Sequence, residues 1–220
     1  MTAEPRPRTA QSLLEENQKF IQTVSRAAPH LFGTLSKGQQ PRVLWFGCCD
    51  SRCAPELITG CSLGEIFVYR NIANVLRGAD TGVLACLDYA VNHLKVSDIV
   101  VCGHTECGGV NAAIASASLG GTLDGWIAHI KQVMTANRAA LDACPTPQAR
   151  AAKLCELNAA ASANALQASP ILQKAWAEGR QITLHTWLFE IASGQCVDLK
   201  QSRTSAEGCE VRYDFKAGGH

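Results

Sequence analysis

Ile66-Phe67-Val68-Tyr69 and Ile99-Val100-Val101-Cys102 are unbroken apolar runs, and the segment from Gly78 to Leu94 lies between them. In that segment Val83, Leu84, Leu87, Ala90, Val91 and Leu94 recur at helical spacing. Continuous runs rich in β-branched and aromatic residues suit strands covered on both faces. Strand, helix and strand in this order predict a right-handed crossover and hence a parallel sheet. Upstream, Pro41 introduces a third run of the same kind, Val43-Leu44-Trp45-Phe46. Downstream, Ile182, Leu184 and Thr186 alternate with other residues as a fourth strand. Val197 to Gln201 is expected to hairpin onto it through Gly194 as an antiparallel edge.

Helices fill the remainder. Ser12 is a candidate cap for a helix running to about Ala27, with Glu15 completing a capping box. Leu13, Leu14, Phe20, Ile21 and Val24 give that helix one apolar face. Further helical stretches follow Cys107, then span Asp124 to Ala143, Pro147 to Ala168 and Ile171 to Ala177. The reading is α/β: a mostly parallel central sheet of four strands plus an antiparallel edge strand, flanked by helices, with an N-terminal helical arm. Residues 1–11 are expected to form a disordered tail and residues 12–220 a single domain. No pattern is assigned after Gly208.

With 220 residues the chain can bury one sizeable core. A net charge of +1 offers no footprint for a nucleic-acid partner, and no apolar run approaches a membrane span. Eleven cysteines is an odd count, no secretory apolar segment opens the chain, and no Asn-x-Ser/Thr acceptor occurs. These features favour a reducing compartment over a disulfide scaffold. The cytoplasm is expected, with the mitochondrion as the alternative. Cys61, Cys86, Cys102, Cys144, Cys155, Cys196 and Cys209 read as small hydrophobes.

Two segments directly follow predicted strands: Cys48-Cys49-Asp50-Ser51-Arg52 and His104-Thr105-Glu106-Cys107. Ligands gather beyond the carboxyl ends of parallel strands at a switch point of the sheet. Two sulfurs and one imidazole, from Cys48, Cys107 and His104, suit one tetrahedral Zn²⁺ with its fourth position open. An open position marks a catalytic zinc. A structural four-ligand site recruiting Cys49 and Cys53 is the competing reading.

Cys-x-Asp-Ser-Arg followed by His-x-x-Cys resembles the β-class carbonic anhydrase family. The similarity extends through Arg70-Asn71-Ile72-Ala73-Asn74, Asp88-Tyr89-Ala90-Val91 and Val101 to Gly109, in the same order. The resemblance implies reversible hydration of carbon dioxide to bicarbonate and a proton by a zinc-bound hydroxide, with one Zn²⁺ per subunit. It implies that Asp50 orients the nucleophile, that Arg52 holds Asp50 off the metal, and that Asp50 ligates zinc in a closed state. It also implies a substrate pocket of Gln39, Phe67, Ile72, Tyr89 and Gly108, partly completed by a neighbouring subunit, in a homodimer or a tetramer of dimers. Some relatives carry a regulatory bicarbonate site of Trp, Arg and Tyr. Trp45 and Arg70 match two of its positions, but Phe189 lacks the hydroxyl, so that site is not expected here.

Three rivals stand beside this reading. A related zinc hydrolase acting on carbon disulfide or carbonyl sulfide would share the same motifs. A zinc deaminase, suggested by His104-x-Glu106, needs a Pro-Cys-x-x-Cys segment that the chain lacks. A non-catalytic zinc or redox-sensing protein would have no use for Asp50 and Arg52 beside the ligands.

Overall fold

The computed structural model describes residues 8–78, 80–116 and 118–213. The chain forms two compact units, one ending at Gln39 and the other beginning at Gln40. The first holds α1 (Ala10–Ala27) and α2 (Leu31–Leu35). Thr9 caps α1: its hydroxyl accepts from the Ser12 amide at 3.2 Å, while the Thr9 amide donates to Ser12 Oγ at 3.0 Å. Ser12 therefore closes a capping box from inside the helix instead of starting it, and Glu15 has no part in the box. Ala10 and Gln11, assigned to the expected tail, are already helical; residues 1–7 lie outside the described residues. Leu13, Leu14, Phe20 and Ile21 of α1 are exposed, and the Phe20 ring meets Phe32 edge-on at 6.3 Å.

In the second unit the elements run β1 (Val43–Cys48), α3 (Pro55–Thr59), β2 (Ile66–Asn71), α4 (Thr81–Asp88), β3 (Asp98–His104) and α5 (Gly108–Ala115). Then come α6 (Gly121–Ala136), α7 (Arg138–Asp142), α8 (Pro147–Gln167), α9 (Pro170–Ala177), β4 (Thr183–Glu190) and β5 (Gln195–Asp198). The sheet order is β2-β1-β3-β4-β5, with β5 antiparallel to β4 and every other pair parallel. This is the predicted α/β architecture. Several boundaries differ. Asp80 caps α4 by accepting from the Gly82 and Val83 amides, so that helix begins three residues after Gly78 and ends in a π-helical turn, Tyr89–Leu94. The helix expected from Asp124 to Ala143 starts earlier and breaks at Asn137, which separates α6 from α7. No helix among the described residues is long and apolar enough to cross a membrane.

Alternation along the strands divides the core into two layers. Leu44, Phe46, Ile99, Val101 and Leu184 face one side and pack with Leu87, Val91, Leu166 and Leu172 of the helices. Trp45, Val100, Cys102 and Phe189 face the other, with Cys53 and Ile58. On the first side Asn158 and Ser162 of α8 are fully buried polar residues. They donate to the carbonyls of Ala73 and Asn74 at 2.8 Å each, fixing the segment after β2. Gly103 lets α8 approach β3: a Cβ there would lie 3.2 Å from both the Ala159 Cβ and the Cys155 carbonyl.

The strands part where the motifs lie. β1 pairs with β3 only as far as Phe46 opposite Val101. Beyond that point β1 stays with β2 to Cys48 opposite Asn71, and β3 stays with β4 to His104 opposite Phe189. This divergence is the switch point of the sheet, and it opens a crevice between the two strand ends.

Candidate metal centre

Cys48 ends β1, His104 ends β3, and Cys107 is the N-cap residue of α5. Their ligand atoms all lie within 4.8 Å of one another, and all three residues are buried. The His104 Nδ1–H donates to the Thr105 carbonyl at 2.8 Å, which leaves Nε2 as the free nitrogen. That Nε2 is buried without a hydrogen-bond partner. A buried acceptor facing two sulfurs is costly alone and well used as a metal donor, so the residues fit a thiophilic ion.

One thiol of the pair, Cys48, is prepared for deprotonation. Cys48 Sγ accepts from the Ala73 amide at 3.2 Å and the Asp50 amide at 3.4 Å. Its pKa falls to about 4, chiefly through a hydrogen bond from Cys107, against the opposing effect of burial. Cys107 moves upward because it is the donor in that bond and is itself buried. The pair thus loses its first proton easily and retains the second until a cation replaces it. Burial lowers the pKa of His104, but the facing Cys48 and Cys53 sulfurs outweigh it and raise the value to about 10, so a proton occupies Nε2 until a cation replaces it. Cys53, placed in the sequence only as a possible structural ligand, instead sits beside His104 and outside the three-donor group.

Asp50 and Arg52 are joined by a two-bond fork. Arg52 Nε lies 2.9 Å from Asp50 Oδ1, and Nη2 lies 2.8 Å from Oδ2. This fork holds the Asp50 carboxyl well below the usual carboxylate range. Asp50 Oδ2 is 3.9 Å from His104 Nε2, so the carboxylate borders the donor group. Arg52 also donates to the Glu106 carbonyl at 3.2 Å and lies 3.5 Å from its carboxylate. Glu106 takes φ +57°, a left-handed conformation that allows the chain to turn between His104 and Cys107.

Arg70, matched in the sequence only to the regulatory bicarbonate site, supports this centre directly. Arg70 Nε donates to the Cys48 carbonyl and Nη2 to the Asp50 carbonyl, each at 2.6 Å. It pins the loop that carries both residues. An arginine closing an otherwise apolar strand was the available signal. Trp45 is 3% exposed and packs edge-on against Trp187 at 5.8 Å, as a core residue does.

The expected substrate residues fall into separate places. Ile72 lies at the centre: its neighbour Ala73 donates to Cys48, and its side chain comes within 3.6 Å of where a Gly109 Cβ would stand. That same Cβ would meet the Ala73 Cβ at 2.9 Å, so only glycine fits at 109. Gly108 opens α5 with free space around its Cα. Phe67 is opposite Leu44, four residues before Asn71 opposite Cys48, or about 13 Å along the strand. Its ring packs at a tilt against Tyr89 at 5.7 Å, and Tyr89 stacks with His93 at 5.3 Å. Within one chain, Phe67 and Tyr89 are not part of the donor group's surroundings. Gln39 closes the first unit.

Residues 43–196 match the carbonic anhydrase family. A carbonic anhydrase of Emericella nidulans is 37% identical over 87% of this chain and 83% of its own length. The chain belongs to the β-class carbonic anhydrases. Among solved β-carbonic anhydrases, a tetrameric enzyme of Sordaria macrospora superposes with a TM-score of 0.85 at 36% identity, over 88% of this chain and 98% of that one. The Coccomyxa β-carbonic anhydrase in complex with acetazolamide gives a TM-score of 0.84 at 31% identity, over 90% of both chains.

Proposed function

We propose that this chain is a zinc-dependent carbonic anhydrase that interconverts carbon dioxide and water with bicarbonate and a proton. The observation that carries the reading is the meeting of Cys48, His104 and Cys107 beside an Asp50 gripped by Arg52. One Zn²⁺ per subunit suits two thiolates and an imidazole, with a fourth position left for solvent. When bound, it supplies the Lewis acidity that makes water nucleophilic near neutral pH.

This chain's residues arrange the rest. Asp50, kept ionised by the Arg52 fork, accepts a hydrogen bond from the attacking water at Oδ2 and aims its lone pair at the substrate carbon. Arg52 also keeps the carboxylate out of the donor group; released, Asp50 becomes a fourth donor and closes the site. Ile72 contributes an apolar wall for carbon dioxide. The Gly108 backbone amide, at a helix start, steadies a bicarbonate oxygen. Gln39 joins the pocket on sequence resemblance alone. Phe67 and the exposed Tyr89 serve a neighbouring copy's centre, which makes a homodimer or a tetramer of dimers the working assembly. None of the eleven cysteines is joined in a disulfide, which suits a cytoplasmic or mitochondrial setting.

Stopped-flow hydration of carbon dioxide on metal-quantified protein tests the reading. Turnover should vanish on chelation and return with Zn²⁺. Metal-replete protein no faster than buffer would overturn it, and parallel assays with carbon disulfide and carbonyl sulfide would reveal a different substrate.

A further inference from the structure

A second cavity, of about 560 Å³, opens beside the Thr105–Glu106 turn that links His104 to Cys107. None of the three metal donors lines it. Its walls come from α5, the first turns of α8 and the end of β4, and they are mainly apolar, with Ile114, Pro147 and Ala151 contributing. Cavities of this volume with apolar walls and a few convergent polar groups hold small molecules.

Charge selects the occupant. Two carboxylates, Glu106 and Glu190, line the cavity, and no lysine or arginine does. Glu190 accepts from Ser193 Oγ at 3.0 Å, and among the described residues no cation lies within ion-pair distance of it. Glu106 has only a share of Arg52, at 3.5 Å, because that guanidinium is already forked onto Asp50. The start of α8 favours an anion and the end of α5 a cation, so the helix ends offset each other. Two carboxylates against one shared guanidinium leave room for a further positive charge.

We propose that this cavity binds a small organic cation with an apolar body, and that its occupancy concentrates Arg52 on Asp50. A cation seated by Glu106 and Glu190 relieves Glu106 of its dependence on Arg52. The guanidinium is then left to the Asp50 fork, the arrangement that keeps Asp50 clear of the metal position. Ligand and fork stabilise each other, as coupled sites must. The effect on turnover rests on the carbonic anhydrase reading; the binding does not.

Benzyltrimethylammonium is the probe, because a quaternary nitrogen has no proton to exchange and cannot act as a buffer. On zinc-loaded protein, calorimetry should show saturable binding at about 1 mM or tighter. Benzyl alcohol should bind more weakly and benzoate not at all. Glu190→Gln should weaken cation binding by up to about fivefold, the ceiling for one exposed ion pair. Ala151→Trp should fill the cavity and abolish binding while leaving the unliganded hydration rate and oligomeric state unchanged. In the native enzyme the cation should raise kcat/KM by up to about fivefold on the same ceiling.

No binding below about 10 mM would overturn the proposal, as would benzoate binding as tightly as the cation. Unchanged binding in both variants would also overturn it, and a changed oligomeric state in Ala151→Trp would make the cavity a subunit contact instead. Binding without any rate change in an active enzyme would remove the coupling to Arg52. Binding in a protein with no hydration activity would sink the functional reading and leave the cavity's ligand standing.

Discussion

Arg52 meets Asp50 through two parallel bonds, Nε to Oδ1 at 2.9 Å and Nη2 to Oδ2 at 2.8 Å, at the border of the three-donor group. A planar fork fixes the orientation of a carboxylate in a way that an ammonium group cannot. Arg52→Lys should therefore lower kcat even though it keeps the charge, and Asp50→Asn should lower it further, by about 100-fold or more for a lost proton-handling group. Zinc content should stay at the native level in both. Near-native turnover in Asp50→Asn would remove its role.

Arg70 is spent on the Cys48 and Asp50 carbonyls. Arg70→Gln cannot reproduce both charge-assisted bonds, and each is worth about 1.5–3 kcal/mol. The loop carrying a metal donor should loosen, with zinc affinity falling about 10- to 100-fold, as for other groups that support ligands. Competition against a zinc chelator measures it.

Gly109→Ala puts a Cβ 2.9 Å from the Ala73 Cβ. Ala73 is held from behind by Asn158 and donates to Cys48 Sγ, so it has little freedom to retreat. Overpacking of this kind costs about 1–3 kcal/mol, and thermal unfolding should show a lowered Tm. Hydration activity should fall with it, because the displaced amide is a Cys48 partner.

Cys196 tests a pH effect away from the metal. The Cys102 thiol donates to it and lowers its pKa to about 7, against the opposing effect of burial. The thiolate is the reactive form, so alkylation of Cys196 should rise through about pH 7 in zinc-loaded protein. Cys102→Ala removes the donor, so the pKa should climb toward the ordinary thiol value and alkylation at pH 7 should slow. Mass spectrometry of iodoacetamide-treated protein reads both. Equal rates with and without Cys102 would contradict the hydrogen-bond account.

The sheet was legible because apolar runs mark strands buried on both faces. Its strand ends were not, since Gly47, Cys48, Arg70, Asn71 and His104 carry no apolar signal and are extended only because a neighbouring strand pairs with them. Caps misled for a related reason: Thr9 and Ser12 share a capping box that can be written with either residue first. β5 starts at Gln195, ahead of the expected Val197, because the turn through Gly194 sets its register. That Cys48, His104 and Cys107 meet could be read from their spacing after strands. Arg70's bonds, the Asn158 and Ser162 clamps and the place of Cys53 depend on contacts far apart in sequence, which local pattern does not encode.

X-ray absorption at the zinc edge of freshly purified protein tests the central claim most directly. Cys48, His104 and Cys107 on one ion predict one zinc per chain, with two sulfurs at about 2.3 Å and two lighter donors at about 2.0–2.2 Å. No zinc in fresh protein, or a shell of four sulfurs, would contradict it.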